Sequence, residues 1–176
     1  MEVVYEDNHI IIVNKRPGEI VQGDKTGDTP LVETVRQYIK ETYAKPGNVF
    51  CGLVHRIDRP VGGLVVFAKT SKALTRMNEL FRLGDVHKTY WAIVQGRPKQ
   101  PEAHLTHYIT SVERNNKSYA SLRPKEGASK SELIYRTLAE GENYTLLEID
   151  LITGRKHQIR VQLSTTGTPI KGDLKY

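Results

Sequence analysis

Residues 53–70 read Leu-Val-His-Arg-Ile-Asp-Arg-Pro-Val-Gly-Gly-Leu-Val-Val-Phe-Ala-Lys-Thr and hold the densest candidate chemistry in the chain. One carboxylate, Asp58, stands among His55, Arg56 and Arg59. A nearby cation favours the charged form of a carboxylate, so Asp58 suits a nucleophile or a general base. Metal chelation fits poorly, because the neighbours are cationic. A two-carboxylate glycosidase needs a second acid, and none stands near the motif. A phosphate loop of the Gly-x-x-x-x-Gly-Lys-Ser/Thr type is absent. The plain alternative is a surface ion pair of Asp58 with Arg56 or Arg59, a common outcome for such clusters.

The elements that must position this cluster follow from periodicity. Pro60, Gly62 and Gly63 make a turn, and the apolar run Leu64–Ala68 reads as a buried strand. Upstream, Val3–Tyr5 and Ile10–Val13 are short strands joined by a turn at Glu6-Asp-Asn-His9. Residues 14–30, rich in Gly and Pro, form a long loop of the kind that is functional or mobile. Leu31, Val35 and Ile39 form one helical stripe over 31–43, behind Pro30. Thr70 or Ser71 caps a second helix, ended by Gly84, whose Leu74, Met77, Leu80 and Phe81 stripe reads as core packing.

From residue 86 the pattern is β. Val86–Gln95, Leu105–Thr110, Ser118–Leu122, Ser131–Leu138 and Tyr144–Ile152 are strand candidates. On pattern alone Tyr90 is an ordinary strand aromatic. Alternation at Ile159, Val161 and Leu163 favours a strand there too, although a helix also fits. The fold class is therefore α+β, a mainly antiparallel mixed sheet with flanking helices in one domain spanning 1–176.

Composition bounds the function. Lys and Arg exceed Asp and Glu by 26 to 20, a net charge of +6. That excess suits a polyanionic partner, and basic residues recur in loop-like stretches such as Lys15-Arg16, Arg114/Lys117 and Arg155-Lys156. No apolar run approaches the roughly 20 residues of a membrane span, and the acidic start is not a signal peptide. The single Cys51 excludes an internal disulfide, and no Cys/His cluster has zinc spacing. Cys51 reads as buried and unreactive. A reducing cytoplasm is the expected compartment.

Four stretches together resemble the RluA-type pseudouridine synthase family. His55-Arg-Ile-Asp58 and the strand after it match its His-Arg-Leu-Asp motif. Val4–Gly18 is similar to its opening strands and Lys-Pro-Gly loop, here Lys15-Arg-Pro-Gly18 with one inserted residue. Lys88–Gly96 resembles its Lys-x-Tyr-x-Ala-x-Val-x-Gly strand. Thr153-Gly-Arg-Lys-His-Gln-Ile-Arg160 and Gly167-Thr-Pro-Ile-Lys-Gly-Asp173 resemble its last two blocks.

The resemblance implies a pseudouridine synthase catalytic-domain fold and an RNA-uridine isomerase. Asp58 is then the catalytic aspartate, Tyr90 lies against the flipped uracil, and Arg160 pairs with Asp58. Arg56 is expected near the RNA at the flipped-out base; Arg155 and His157 are further RNA-binding candidates. His55 is expected only to shape its loop, and His157 is alternatively a helix cap. The resemblance turns the 158–164 stretch into a helix. No cofactor and no metal are implied. RNA, ribosomal or transfer, is the implied partner; no protein partner is implied, and a monomer is expected.

A non-catalytic RNA-binding or RNA-remodelling protein on the same scaffold is the alternative. The chain departs from the family at Arg59–Gly63, where many members have a Thr-Ser-Gly turn. The chain is expected to lack the small N-terminal RNA-binding domain of many relatives. It stops where relatives continue, either as a short form or with its end missing.

Overall fold

The computed structural model describes residues Met1–Tyr176, which fall into two compact units, Met1–Asp85 and Val86–Tyr176. Every strand pairing in both units is antiparallel.

The first unit holds β1 (Glu2–Glu6), β2 (Ile10–Lys15), α1 (Leu31–Thr42), β3 (Gly52–Leu53), β4 (Gly63–Ala68) and α2 (Ser71–Leu83). Its sheet runs β1-β2-β4-β3. The β1–β2 turn is tight because the Asp7 carboxylate accepts from the N–H groups of His9 (2.7 Å) and Ile10 (2.8 Å). Ile11, Val13, Val65 and Phe67 put one sheet face against Leu31, Val35 and Ile39 of α1. The buried Lys69 joins three elements: its ammonium donates to Glu6 Oε1 (2.6 Å), the Asp7 carbonyl (2.7 Å) and the Tyr43 hydroxyl (3.2 Å).

Two expectations need adjusting here. The 14–30 loop is anchored in its middle: Ile20 and Val21 are buried. Their carbonyls accept from Leu31 N–H (2.8 Å) and Val32 N–H (3.2 Å). Those are orphan donors of α1, and Pro30 offers no side-chain cap. The α2 stripe is not a core stripe, since only Ala73 is buried while Leu80 stays 40% exposed. Its capping is as expected, Thr70 Oγ1 accepting from Ala73 N–H (3.1 Å) and Gly84 ending it at φ 80°. The two-residue β3 beneath α2 covers little of a thirteen-residue helix. One close contact comes where Gly52 lets Leu74 approach; a Cβ there would lie 2.9 Å from Leu74 Cδ2.

The second unit holds β5 (Thr89–Gln95), β6 (Glu102–Val112), β7 (Lys117–Ser121), β8 (Ser129–Glu140), β9 (Tyr144–Leu151) and α3 (Gln158–Thr165). Its sheet runs β5-β9-β8-β6-β7. Ala92, Val94, Leu133, Leu147 and Ile149 form the core with Leu163 of α3. The predicted strands are all present, with β6 and β8 longer than their apolar runs suggest and Val86–Lys88 lying outside β5.

The 158–165 stretch is a helix, not the strand that its alternation favours. Its inward face carries two polar residues one turn apart, Gln158 and Gln162, at 2% and 0% exposure. Counting only apolar residues misses such a face. Gln162 Nε2 lies within reach of the Leu105 carbonyl (3.3 Å), His107 Nδ1 (3.0 Å) and the Ser131 carbonyl (3.3 Å), fastening α3 to β6 and β8. Burial holds the His107 imidazole below its ordinary pKa, consistent with a neutral ring that accepts this bond.

Candidate functional site

Asp58 lies in the irregular segment between β3 and β4, half-buried. Side chains along this segment alternate in environment. His55 and Ile57 turn inward, Ile57 against the core, while Arg56 is exposed. The reason lies in the sheet. Strand β3 pairs with β4 only at Gly52↔Ala68 and Leu53↔Phe67, so the ladder stops there. The next edge donor, Val66 N–H, bonds instead to His55 Nε2 at 3.1 Å. An imidazole nitrogen that accepts carries no proton, which assigns the hydrogen to Nδ1. The His55 ring also stacks on Phe81 of α2, centroids 5.1 Å apart. His55 thus shapes the loop, as expected.

On the other side of Asp58 the backbone is clamped. The Arg59 carbonyl accepts from Lys15 Nζ (3.0 Å) and from Gly18 N–H (2.8 Å). Lys15 Nζ also reaches the carbonyls of Arg16 (3.1 Å) and Glu19 (2.8 Å), so its three donors meet three backbone oxygens. Lys15 is 1% exposed and is no part of a basic surface, contrary to its grouping with Arg16. Burial pulls its pKa below the ordinary lysine value, and the nearby carboxylates of Glu19 and Asp58 oppose that shift. The clue in the sequence was period two: Lys15 shares its strand face with the buried Ile11 and Val13.

The unusual Arg59–Gly63 turn completes the clamp. Val61 N–H bonds the Asp58 carbonyl (3.0 Å). A Cβ at Gly62 would meet Pro17 Cδ at 3.1 Å, so a larger residue there would press on the Lys15–Gly18 loop. Arg59 itself pairs with Asp28. Arg56 Nη1 reaches Gln22 Oε1 (3.3 Å) from an exposed position. Cys51 is buried, its thiol pushed up to about 11 by burial, and is unsuited to nucleophilic work at neutral pH.

In the second unit, Tyr90 follows the inward alternation of β5 with Ala92 and Val94, packed against the core and half-buried. Gln158 organises the loop before α3. Its Oε1 accepts from Thr153 Oγ1 (2.9 Å) and Arg155 N–H (3.0 Å), and its Nε2 donates to the Glu132 carbonyl (3.1 Å). The Arg155 side chain projects into solvent. His157 precedes α3 at φ 55° but makes no side-chain cap; its Nδ1 lies 2.7 Å from the Tyr176 hydroxyl. Arg160 on α3 makes a bidentate pair with Asp173, Nε–Oδ2 2.6 Å and Nη2–Oδ1 2.9 Å. Neither Gln158 nor Asp173 was singled out from the sequence. Three of the residues expected to share chemistry thus sit in different settings: Asp58 in the first unit, Tyr90 and Arg160 in the second.

No group of three or more His, Cys, Asp or Glu side chains converges to hold a metal ion. No helix is long and apolar enough to cross a membrane.

The RNA pseudouridylate synthase family model matches residues 9–165. The chain is 33% identical over 174 residues to ribosomal large subunit pseudouridine synthase C of Vibrio parahaemolyticus, covering 99% of this chain and 52% of that protein. It is 32% identical over 178 residues to ribosomal large subunit pseudouridine synthase D of Zymomonas mobilis, covering 100% of this chain and 56% of the relative. Among solved structures, human RNA pseudouridylate synthase domain containing 4 superposes with a TM-score of 0.85 at 27% identity, covering 99% of this chain and 68% of that one. The chain spans about half the length of the curated relatives it matches.

Proposed function

Because the chain belongs to the RNA pseudouridylate synthase family, we propose that it isomerises uridine to pseudouridine in structured RNA, with Asp58 as the catalytic carboxylate. The observation that carries this reading is the setting of Asp58. A single carboxylate is held on a short segment pinned at His55 and clamped at Arg59, with exposed arginines on both sides. Catalytic groups need such fixed geometry, since small misplacements are costly in rate.

The chemistry balances without a cofactor. The bond from C1′ to N1 breaks, the freed uracil turns, and a bond from C5 to C1′ forms. C5 loses its proton and N1 ends with one, so the product is an isomer. Asp58 serves either as nucleophile on the sugar or as base toward it. The target base must leave the helical stack to be reached. Tyr90 offers an aromatic face to the displaced uracil, and Arg160 supplies the counter-charge for Asp58. Arg56 is assigned to the RNA at the flipped-out base, and Arg155 and His157 are assigned to further RNA contacts. The relatives' names make large-subunit ribosomal RNA the first substrate to test and transfer RNA the second. The cytoplasm is the proposed compartment.

The test is Asp58→Asn. It is expected to abolish pseudouridine formation in total RNA from cells lacking the gene while RNA binding persists. A variant that works at near wild-type rate sinks the assignment. Binding by the wild-type protein with no modification of ribosomal or transfer RNA would instead favour a non-catalytic RNA-binding role.

A further inference from the structure

Arg160 is not a loose surface cation. Its side chain is 18% exposed and that of Asp173 5%. The pair uses the Nε–Nη2 edge of the guanidinium, a side-on fork that fixes the direction in which the group points. Asp173 is itself held, since Lys175 N–H donates to its Oδ1 at 2.9 Å. The Tyr176 ring packs on the guanidinium, 5.1 Å from Cζ to the ring centroid. That ring is fixed in turn: its hydroxyl accepts from Ser118 N–H (2.7 Å), touches His157 Nδ1 (2.7 Å), and Lys117 Nζ lies 5.4 Å from its centroid. The Asp173 carboxyl lies below its ordinary pKa because Arg160 hydrogen-bonds it, so the pair stays charged at neutral pH.

We infer that Asp173 and Tyr176 are positioning residues for Arg160: Asp173 sets the direction of the Nη1 edge and Tyr176 sets the plane of the guanidinium. The inference rests on the reading of Arg160 as a participant in the reaction. An arginine whose Nε edge is committed meets a second carboxylate through its Nη1 hydrogens and the outer Nη2 hydrogen, on the side away from Asp173. Tyr176 also links that orientation to His157 and β7, so three separate segments define it. Asp173 and Tyr176 then serve to orient a catalytic cation.

The experiment measures tritium release from 5-tritiated total RNA of cells lacking the gene, under single turnover, with RNA affinity and thermal unfolding followed in parallel. Asp173→Asn is expected to lower the rate about 100-fold with RNA affinity unchanged. In an Arg160→Met background the same substitution should add nothing, because its effect passes through Arg160. Tyr176→Phe, which keeps the ring, should retain most activity, and Tyr176→Leu should lose about tenfold. Should Asp173→Asn unfold, Asp173→Glu keeps the charge, and an activity well above that of Arg160→Met at equal folded fraction supports the assignment. Losses that add in the double variant, or a near wild-type Asp173→Asn beside a crippled Arg160→Met, overturn it. A near wild-type Arg160→Met removes the premise itself, which is a different failure.

Discussion

The two units fix their candidate residues by different physics. In the first, the segment carrying Asp58 is held through its backbone: Lys15 gathers carbonyls, Gly18 and Val61 add main-chain bonds, and the His55 ring stands in for a missing strand partner. In the second, Arg160 is held through its own side chain, by a carboxylate edge and an aromatic face. Backbone clamping acts on the main chain on either side of the Asp58 side chain. Side-chain clamping commits one edge of Arg160 and orients the other. A reacting group gains from the first arrangement, and a group that only supplies charge and direction gains from the second.

This contrast can be tested by removing each clamp. Lys15→Met should have the largest effect on stability, about 3 kcal/mol or more, because three carbonyls lose a charged donor in a buried site. Urea unfolding would measure the loss, and amide exchange at Gly18 should rise with it. An unchanged midpoint, or equally raised exchange at Gln158, would dissolve the contrast. His55→Ala comes next, at about 2 kcal/mol, from one unmet Val66 N–H and a lost ring stack on Phe81. His55→Gln, which can still accept, should recover part of it.

The smallest effect is expected from acid. The folded Asp173 carboxyl is depressed relative to its ordinary value near 3.8, so the unfolded chain binds this proton more readily. Its contribution is present above that value and is lost as the pH falls below it. The unfolding free energy of the wild type should therefore drop more steeply below about pH 4 than that of Asp173→Asn, since 3.8 is the ordinary value. Parallel pH profiles for the two proteins would show that the ion pair carries no stability of its own.

Period two and period 3.6 were enough to place β2, β4 and α1, whose buried residues are apolar apart from Lys15, while α2 was marked by its Thr70 cap and its Gly84 stop. The type of Asp58 and its cationic neighbours were legible for the same local reason. Order and spacing of the motif blocks added Tyr90 and Arg160, which no local pattern marks. What stayed hidden was polar and non-local. The helical state of 158–165 depends on buried amides finding partners on β6 and β8. Lys15 looked like a surface cation, yet its partners include a carbonyl 44 residues away. The Asp173–Arg160 pair spans 13 residues across a helix end.

Sequence by itself therefore determined which residues are apolar, where the chain turns, and that one carboxylate sits among cations ahead of a buried strand. Only the tertiary structure decided which cations are available to a ligand and which are consumed inside. A hydrogen bond or ion pair is satisfied by whatever group the fold brings within about 3 Å, and that distance is not a property of any short stretch of chain.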